Sequence, residues 1–197
     1  MRKLKLQMQK TVDGFVGGPN GELDWMTWNW STDIKNYVTD LTNSVDTILL
    51  GRKMTDGFVS YWTNYVKNKP DDHFLLSKMQ EESYPFAKKM VDYPKIVFTK
   101  TLNKSEWENT RLAKGDIVEE VNKIKNEDSD KDIIVYGGAN FVTSLIKNNL
   151  IDEFYLFVNP AAISNGLTIF DGRTNFKLVK SIPFECGIVL MNYEPVK

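Results

Sequence analysis

Apolar residues recur along the chain with two periods. Leu4, Leu6 and Met8 alternate with polar neighbours, the pattern of a half-buried strand. Ile34, Tyr37, Val38, Leu41 and Val45 fall three or four residues apart and form one helical stripe, with Ser31 placed to cap it. Short apolar runs at Thr47–Leu50, Lys95–Thr99, Ile133–Tyr136 and Phe154–Val158 read as buried strands. A second stripe, Ile117, Val118, Val121 and Ile124, opens on Asp116-Ile-Val-Glu119, the spacing of a capping box. A third helix is expected over 139–149, with Phe141, Val142, Leu145 and Ile146 inward, and residues 176–180 and 187–193 read as a closing antiparallel pair. Between 58 and 94, Pro70, Pro85 and Pro94 interrupt any single element and leave room for a helix within 77–92.

This order predicts an α/β sheet, parallel where helices cross over and antiparallel at its end, with right-handed crossovers. The chain has 197 residues, which points to one domain over 1–197. A chain of that size buries roughly 70% of its unfolded surface. The charged run 125–132 is too short for a domain linker, and Lys123, Lys125 and Lys131 read as solvated. Lysine and arginine total 25 against 26 acidic residues, so no basic excess calls for a nucleic-acid or anionic-membrane partner. No run reaches the ~18 apolar residues of a membrane helix, and the alternating N-terminus is unlike a signal peptide. The expectation is a cytoplasmic protein. One cysteine, Cys186, and one histidine, His73, exclude an internal disulfide framework, a CxxC site and a histidine-rich metal site. Cys186 reads as an inert thiol, His73 as a surface residue, and Asp152-Glu153 as a cap or ion pair rather than metal ligands.

The candidate chemistry lies where strands end in glycine. In Ile133-Ile-Val-Tyr-Gly-Gly-Ala-Asn-Phe-Val142 a buried strand meets two glycines and a helix starts at once. Such a corner leaves free backbone N–H groups at a positive helix end, where phosphate binds well; it is equally the form of a tight turn that needs positive φ. Leu49-Leu-Gly-Arg-Lys-Met-Thr55 also ends a strand, and its two cations suit a phosphate monoester, or simply a solvated turn. Two such places on one open sheet suggest a dinucleotide lying across the strand ends, with Arg52 on a 2′-phosphate. The segment 13–21 has the densest turn chemistry in the chain and leads to Trp25, Trp28 and Trp30, which read either as an apolar wall over a nicotinamide or as ordinary packing.

The runs Val12–Trp25, Leu49–Thr55, Val135–Phe141, Leu150–Leu156, Asn159-Pro160 and Gly166–Phe170, taken in order, resemble the dihydrofolate-reductase-like superfamily, and within it the riboflavin-pathway pyrimidine reductase branch. The resemblance implies a mixed sheet of about eight strands with flanking helices, and NADPH along one edge. It places Val16 and Gly17 at the nicotinamide. Gly51, Arg52, Lys53 and Thr55 would hold the adenosine ribose and 2′-phosphate, and Thr99 and Lys100 would lie on the adenine side. Gly137, Gly138, Ala139, Asn140 and Phe141 would cradle the pyrophosphate. It also implies a cis peptide at Gly137–Gly138, a homodimer, and a hydride acceptor that is a small heterocycle or ribosylaminopyrimidine. The apolar strands around 154–158 and 187–191 offer one face for the dimer. Alternatives are a folate-type activity, with Asp33 in the pterin-binding position, and a nucleotide-binding module without turnover. Helix-dipole stabilisation of Asp33 would account for that residue equally well, and it lowers a carboxyl pKa, the wrong direction for a proton donor. No H-x-E…P-C-x-x-C signature is present, so the zinc deaminase chemistry often coupled to this reductase is not expected of these residues.

Overall fold

The computed structural model describes residues 1–68 and 74–196, with the backbone alone for 74–82; His73 and Pro70 lie outside it. Eight strands form one sheet in the order β4-β3-β2-β5-β1-β6-β8-β7. Strands β1 (Leu4–Thr11), β2 (Val45–Gly51), β3 (Lys95–Phe98), β4 (Thr110–Ala113), β5 (Asp132–Val135) and β6 (Glu153–Asn159) all run parallel. The strands β8 (Val189–Pro195) and β7 (Phe176–Pro183) add antiparallel at the β6 side. This is the mixed sheet of about eight strands that the resemblance implies, with the antiparallel end that the apolar pattern predicts; β4 is the strand that pattern lacks.

Strands β2, β5 and β6 carry apolar residues on both faces because helices cover both, whereas β1 is apolar on one face and turns Lys5, Gln7 and Gln9 to the other. Leu4, Leu6, Met8, Ile133 and Val135 face α4 (Ile117–Lys125) and α5 (Ala139–Lys147), which contribute Val121, Ile124, Val142 and Leu145. Ile48, Leu50 and Ile134 face the other way, toward α1 (Thr32–Asn43), α2 (Arg52–Lys67) and α3 (Phe74–Asp92). Phe157 and Leu190 continue that face under Ile34 and Val38 of α1. Each fully buried side chain of this kind contributes about 1.5–3 kcal/mol.

Four local expectations need correction. Val45 does not extend the first helix; the chain leaves α1 at Asn43 and Val45 opens β2, fully buried. Arg52 and Lys53 are not a turn but the first residues of α2, whose Phe58 and Trp62 pack on the Ile48–Leu50 side of the sheet. Pro85 does not end a helix: α3 runs through it, and burial of Ala87 and Met90 beyond it offsets the lost hydrogen bond. Lys125 is not solvated. It is 4% exposed, and its ammonium meets Asp152, which also accepts from the Leu4 N–H at 2.7 Å. That pair closes the amino end of the sheet, so the Asp152 carboxylate is structural, as its ion-pair reading requires.

Candidate active site

Six parallel strands end along one rim, and the segments that leave β1, β2, β3 and β5 emerge there together. β2 and β5 are neighbours, with Leu49 opposite Val135. From β2 the chain moves outward to β3, whereas from β5 it moves to β6 on the far side of β1. A reversal of this kind opens a crevice beyond the carboxyl ends of the strands, the usual place for a ligand in an open α/β sheet.

Two helices begin at that crevice. β2 passes straight into α2 with Gly51 as N-cap, and β5 reaches α5 through Tyr136, Gly137 and Gly138, with Gly138 as N-cap. Neither start has a side-chain cap, whereas α4 is capped by Asp116, which accepts from the N–H groups of Val118 and Glu119. The first-turn N–H groups of α2 and α5 therefore keep no helical acceptor, and both positive helix ends meet at neighbouring strand tips.

The glycines achieve this differently. Gly138 has φ 83°, left-handed backbone that a side chain would strain. The expected cis bond between Gly137 and Gly138 is absent: all described peptides are trans, and the left-handed residue turns the corner instead. Gly51 has an ordinary φ of −77°, so its reason is space. A Cβ there would lie 2.7 Å from the Phe141 Cβ, and the Phe141 ring packs on Phe98 with centroids 4.9 Å apart. Gly51 thus lets the β2 tip close against the first turn of α5, and the Phe141 ring ties the β3 tip to both.

Arg52 stands at this junction. Its guanidinium pairs with Asp56 at 2.7 Å and lies over the Trp107 ring, 5.4 Å from the centroid. Lys53, Lys100 and Asn140 are exposed. Thr55 is fully buried and donates its hydroxyl to the Gly51 carbonyl at 3.1 Å, so it shapes the strand–helix corner and does not face the crevice. Thr99 is also buried; its hydroxyl oxygen accepts from the N–H groups of Thr101 and Leu102, turning the chain at the end of β3. Trp107 was not among the sequence candidates, because its contact with Arg52 joins two residues far apart in the chain.

Beyond β1, the loop is fastened rather than loose. The Val16 N–H donates to the Leu167 carbonyl and the Leu167 N–H to the Gly17 carbonyl, both at 2.8 Å. The Asp13 carboxylate accepts from the N–H groups of Ile163 and Ser164, and a hydrogen bond from Thr11 helps hold its pKa below the usual range. Further on, the Thr27 N–H donates to Asn159 Oδ1 at 2.9 Å. Trp28 is 61% exposed and builds no wall, whereas Trp30 packs against the cluster of Ile34, Val38 and Phe157. Lys10, on β1, is half-buried with its pKa lowered by burial, and it has no acidic partner among the described residues.

Asp33 lies at the same rim, in the first turn of α1. Its carboxylate accepts from the Ser31 hydroxyl, from its neighbour Ile34 N–H at 2.8 Å and from Glu185 N–H at 3.0 Å. The Ser31 hydrogen bond foremost holds its pKa below the usual carboxyl range. It is therefore a charged clip between α1 and the turn joining β7 to β8, not a reservoir of protons at neutral pH. Among the described residues, no group of three His, Cys, Asp or Glu is placed to hold a metal, and no helix is long and apolar enough to cross a membrane.

A family model described as the RibD C-terminal domain matches residues 2–190. Protein YyaP of Bacillus subtilis, described as uncharacterized, is 37% identical over 98% of this chain and 94% of its own length. Among solved structures, a protein from Shewanella sp. PV-4 assigned to riboflavin biosynthesis superposes with a TM-score of 0.69 at 18% identity, covering all of both chains. The Thermotoga maritima diaminohydroxyphosphoribosylaminopyrimidine deaminase/5-amino-6-(5-phosphoribosylamino)uracil reductase gives 0.62 at 18% identity, covering 99% of this chain and 57% of that one.

Proposed function

The chain belongs to the RibD C-terminal domain family, a reductase-like domain of the riboflavin pathway, and from that premise we propose that it is a reductase that uses NADPH to reduce a small heterocyclic or ribosylaminopyrimidine substrate. One observation carries this reading: two uncapped, glycine-led helix starts on adjacent strand tips, with the Arg52 guanidinium beside them.

The residues suit the cofactor. First-turn N–H groups of α5, from Ala139, Asn140 and Phe141, would hold the pyrophosphate, and left-handed Gly138 keeps its approach free of a side chain. Arg52 would hold the 2′-phosphate of the adenosine ribose. Asp56 and Trp107 fix the plane of its guanidinium, so little freedom is lost when the phosphate docks. Lys53 and Lys100 add positive charge on that side. The fastened segment Val16–Gly17 lies at the β1 tip, where it would exclude water from the nicotinamide. Bound NADPH supplies the hydride; the chain supplies position and dryness. Asp33, held charged, lends no support to a folate-type proton donor.

The test is a titration with NADPH and NADH of wild type and Arg52→Ala. Wild type should prefer NADPH, and Arg52→Ala should lose about 1.5–3 kcal/mol of that preference, the worth of a charge-assisted hydrogen bond. Equal affinity of wild type for the two cofactors would remove the 2′-phosphate assignment. No binding of either would remove the reductase reading.

A further inference from the structure

The dipeptide Asn-Gly occurs twice in the chain, at Asn20-Gly21 and Asn165-Gly166. The side-chain amide of an asparagine is open to attack by the backbone nitrogen of the residue that follows, and glycine in that place leaves the nitrogen uncrowded by a side chain. Both asparagines are exposed, so access to water does not separate them. Their hydrogen bonds do. At the first pair, the Gly21 N–H donates to the Gly18 carbonyl at 2.9 Å. The Asn20 side-chain NH2 donates to Glu22 Oε1 at 2.7 Å, and the Asn20 N–H to Glu22 Oε2 at 2.9 Å. The attacking nitrogen and the amide it would attack are both held.

The second pair is open. Among the described residues, neither the Gly166 N–H nor the Asn165 side chain has a hydrogen-bond partner. A tight turn presents them: the Asn165 N–H donates to the Ile163 carbonyl at 2.8 Å around Ser164, whose φ of 63° is left-handed and strained for a residue with a side chain. The Asp13 carboxylate holds this turn through the Ile163 and Ser164 N–H groups. Directly after Gly166, Leu167 makes the two backbone hydrogen bonds that fasten Val16 and Gly17. Asn165 therefore sits between the two attachments of the segment beyond β1.

We propose that Asn165 is a site of spontaneous covalent modification, at which the Gly166 nitrogen closes a ring on the Asn165 side chain. The Gly166 nitrogen gives its proton to water and bonds to Asn165 Cγ. The Cγ–Nδ2 bond breaks, and the side-chain nitrogen leaves as ammonia. Water then opens the succinimide. Cleavage between the ring nitrogen and Cγ gives aspartate; cleavage between the ring nitrogen and the Asn165 main-chain carbonyl carbon gives isoaspartate. One water enters for each ammonia lost, and nothing is oxidised or reduced. Either product carries a new carboxylate beside the two N–H groups that Asp13 already occupies, and like charges there oppose each other. Isoaspartate also lengthens the backbone just ahead of Leu167. Both changes loosen the fastening of Val16–Gly17 as the molecule ages.

The modification stands on the chain's own geometry; its effect on turnover rests on the reductase reading. Wild type and Asn165→Gln would be held at physiological temperature in mildly alkaline buffer, then digested in mild acid. Mass spectrometry with fragmentation that separates aspartate from isoaspartate would follow residues 20 and 165. Residue 165 should convert about tenfold faster than residue 20 or more, because two hydrogen bonds must break before Asn20 can react. In guanidinium chloride the two should convert at nearly equal rates, since the protection of Asn20 is lost with the fold. Aged wild type should melt lower than fresh protein, and aged Asn165→Gln should melt as it did when fresh. Equal conversion of the two residues in the native protein would overturn the site, and the same bias in guanidinium chloride would overturn its structural cause. An unchanged melt in fully converted protein would overturn the loosening. If fresh protein fails to oxidise NADPH, the reductase reading falls, while conversion and melting still judge this one.

Discussion

The junction of Gly51 with Phe141 offers a sharp test of how the crevice is built. Gly51→Ala adds one methyl group. The backbone at this position, φ −77° and ψ 143°, suits alanine as well as glycine, so the substitution carries no conformational strain. On entropy alone it would stabilise the fold by about 0.4–1 kcal/mol, through a less flexible unfolded chain. Sterics oppose this. The new Cβ would sit 2.7 Å from the Phe141 Cβ and 3.2 Å from its Cγ. Carbon atoms prefer about 3.5–4.0 Å, so the pair must part by roughly 0.8 Å. Neither atom can escape by a side-chain rotation, because each Cβ is fixed to its backbone; the β2 tip and the first turn of α5 must separate. Overpacking of this kind costs about 1–3 kcal/mol, which outweighs the entropic gain. The expected net effect is a loss of about 1–2 kcal/mol, or about 2–8 °C in Tm for a domain of this size. The same separation misaligns the two helix starts, so NADPH affinity should fall by about tenfold or more. Thermal melts and NADPH titrations read both effects. Gly57→Ala is the control. It lies inside α2 with nothing within 4 Å of its Cβ position, so it should gain up to about 1 kcal/mol of helix propensity and melt higher. If Gly51→Ala also melts higher and binds NADPH unchanged, the steric account of the crevice is wrong.

Further outcomes follow from the same structure. In Gly166→Ala the new Cβ would lie 2.2 Å from the Gly17 carbonyl oxygen, breaking the pairing that fastens Val16–Gly17; stability should fall by about 1–3 kcal/mol and NADPH oxidation should slow, both measurable on purified protein. Lys125→Met leaves the Asp152 carboxylate facing an apolar group; the cost should be about 3 kcal/mol by urea unfolding, and Asp152→Asn added to it should recover part of the loss. Asp33 has a folded pKa below its ordinary 3.8, so its hydrogen bonds stabilise the fold fully above about pH 4, and that contribution is lost as pH falls through the folded value. The Tm advantage of wild type over Asp33→Asn should therefore shrink in acid, and the pH profile of NADPH oxidation near neutrality should be the same in both.

The strands other than β4 and the helices α1, α4 and α5 were legible because their apolar period matches the faces they bury. The Asp116 cap was legible for a local reason as well: it accepts from Val118 and Glu119 N–H groups within its own turn. What was missed depends on distant partners or on conflicting local signals. Met54, Phe58 and Trp62 form a helical stripe in α2, yet Gly51 and Gly57 punctuate it like a loop. The strand β4 spans only Thr110–Ala113 and carries little pattern of its own; it exists because β3 offers it an edge. Gly51 read as an opening for an anion, but its reason is Phe141, contributed by a helix much later in the chain. Four buried side-chain polar atoms without a hydrogen-bond partner among the described residues, Gln7 Oε1, Gln9 Nε2, Trp30 Nε1 and Tyr136 Oη, could not be found from sequence at all. Gln7, Gln9 and Trp30 look like ordinary residues of a strand and a loop until burial shows which atoms have no partner.

β5 is threaded between β1 and β2, which lie far ahead of it in the chain. A ribosome making this protein releases the first two strands long before the third that joins them. Until residue 135 has emerged, both inner edges stay open, and residues 51 and 141 cannot meet. The nascent chain thus carries exposed pairing edges through most of its synthesis, the situation in which holdase chaperones matter most. A product ending before β5 carries the α2 start but not the α5 start that meets it, so the protein should acquire its full binding capacity late.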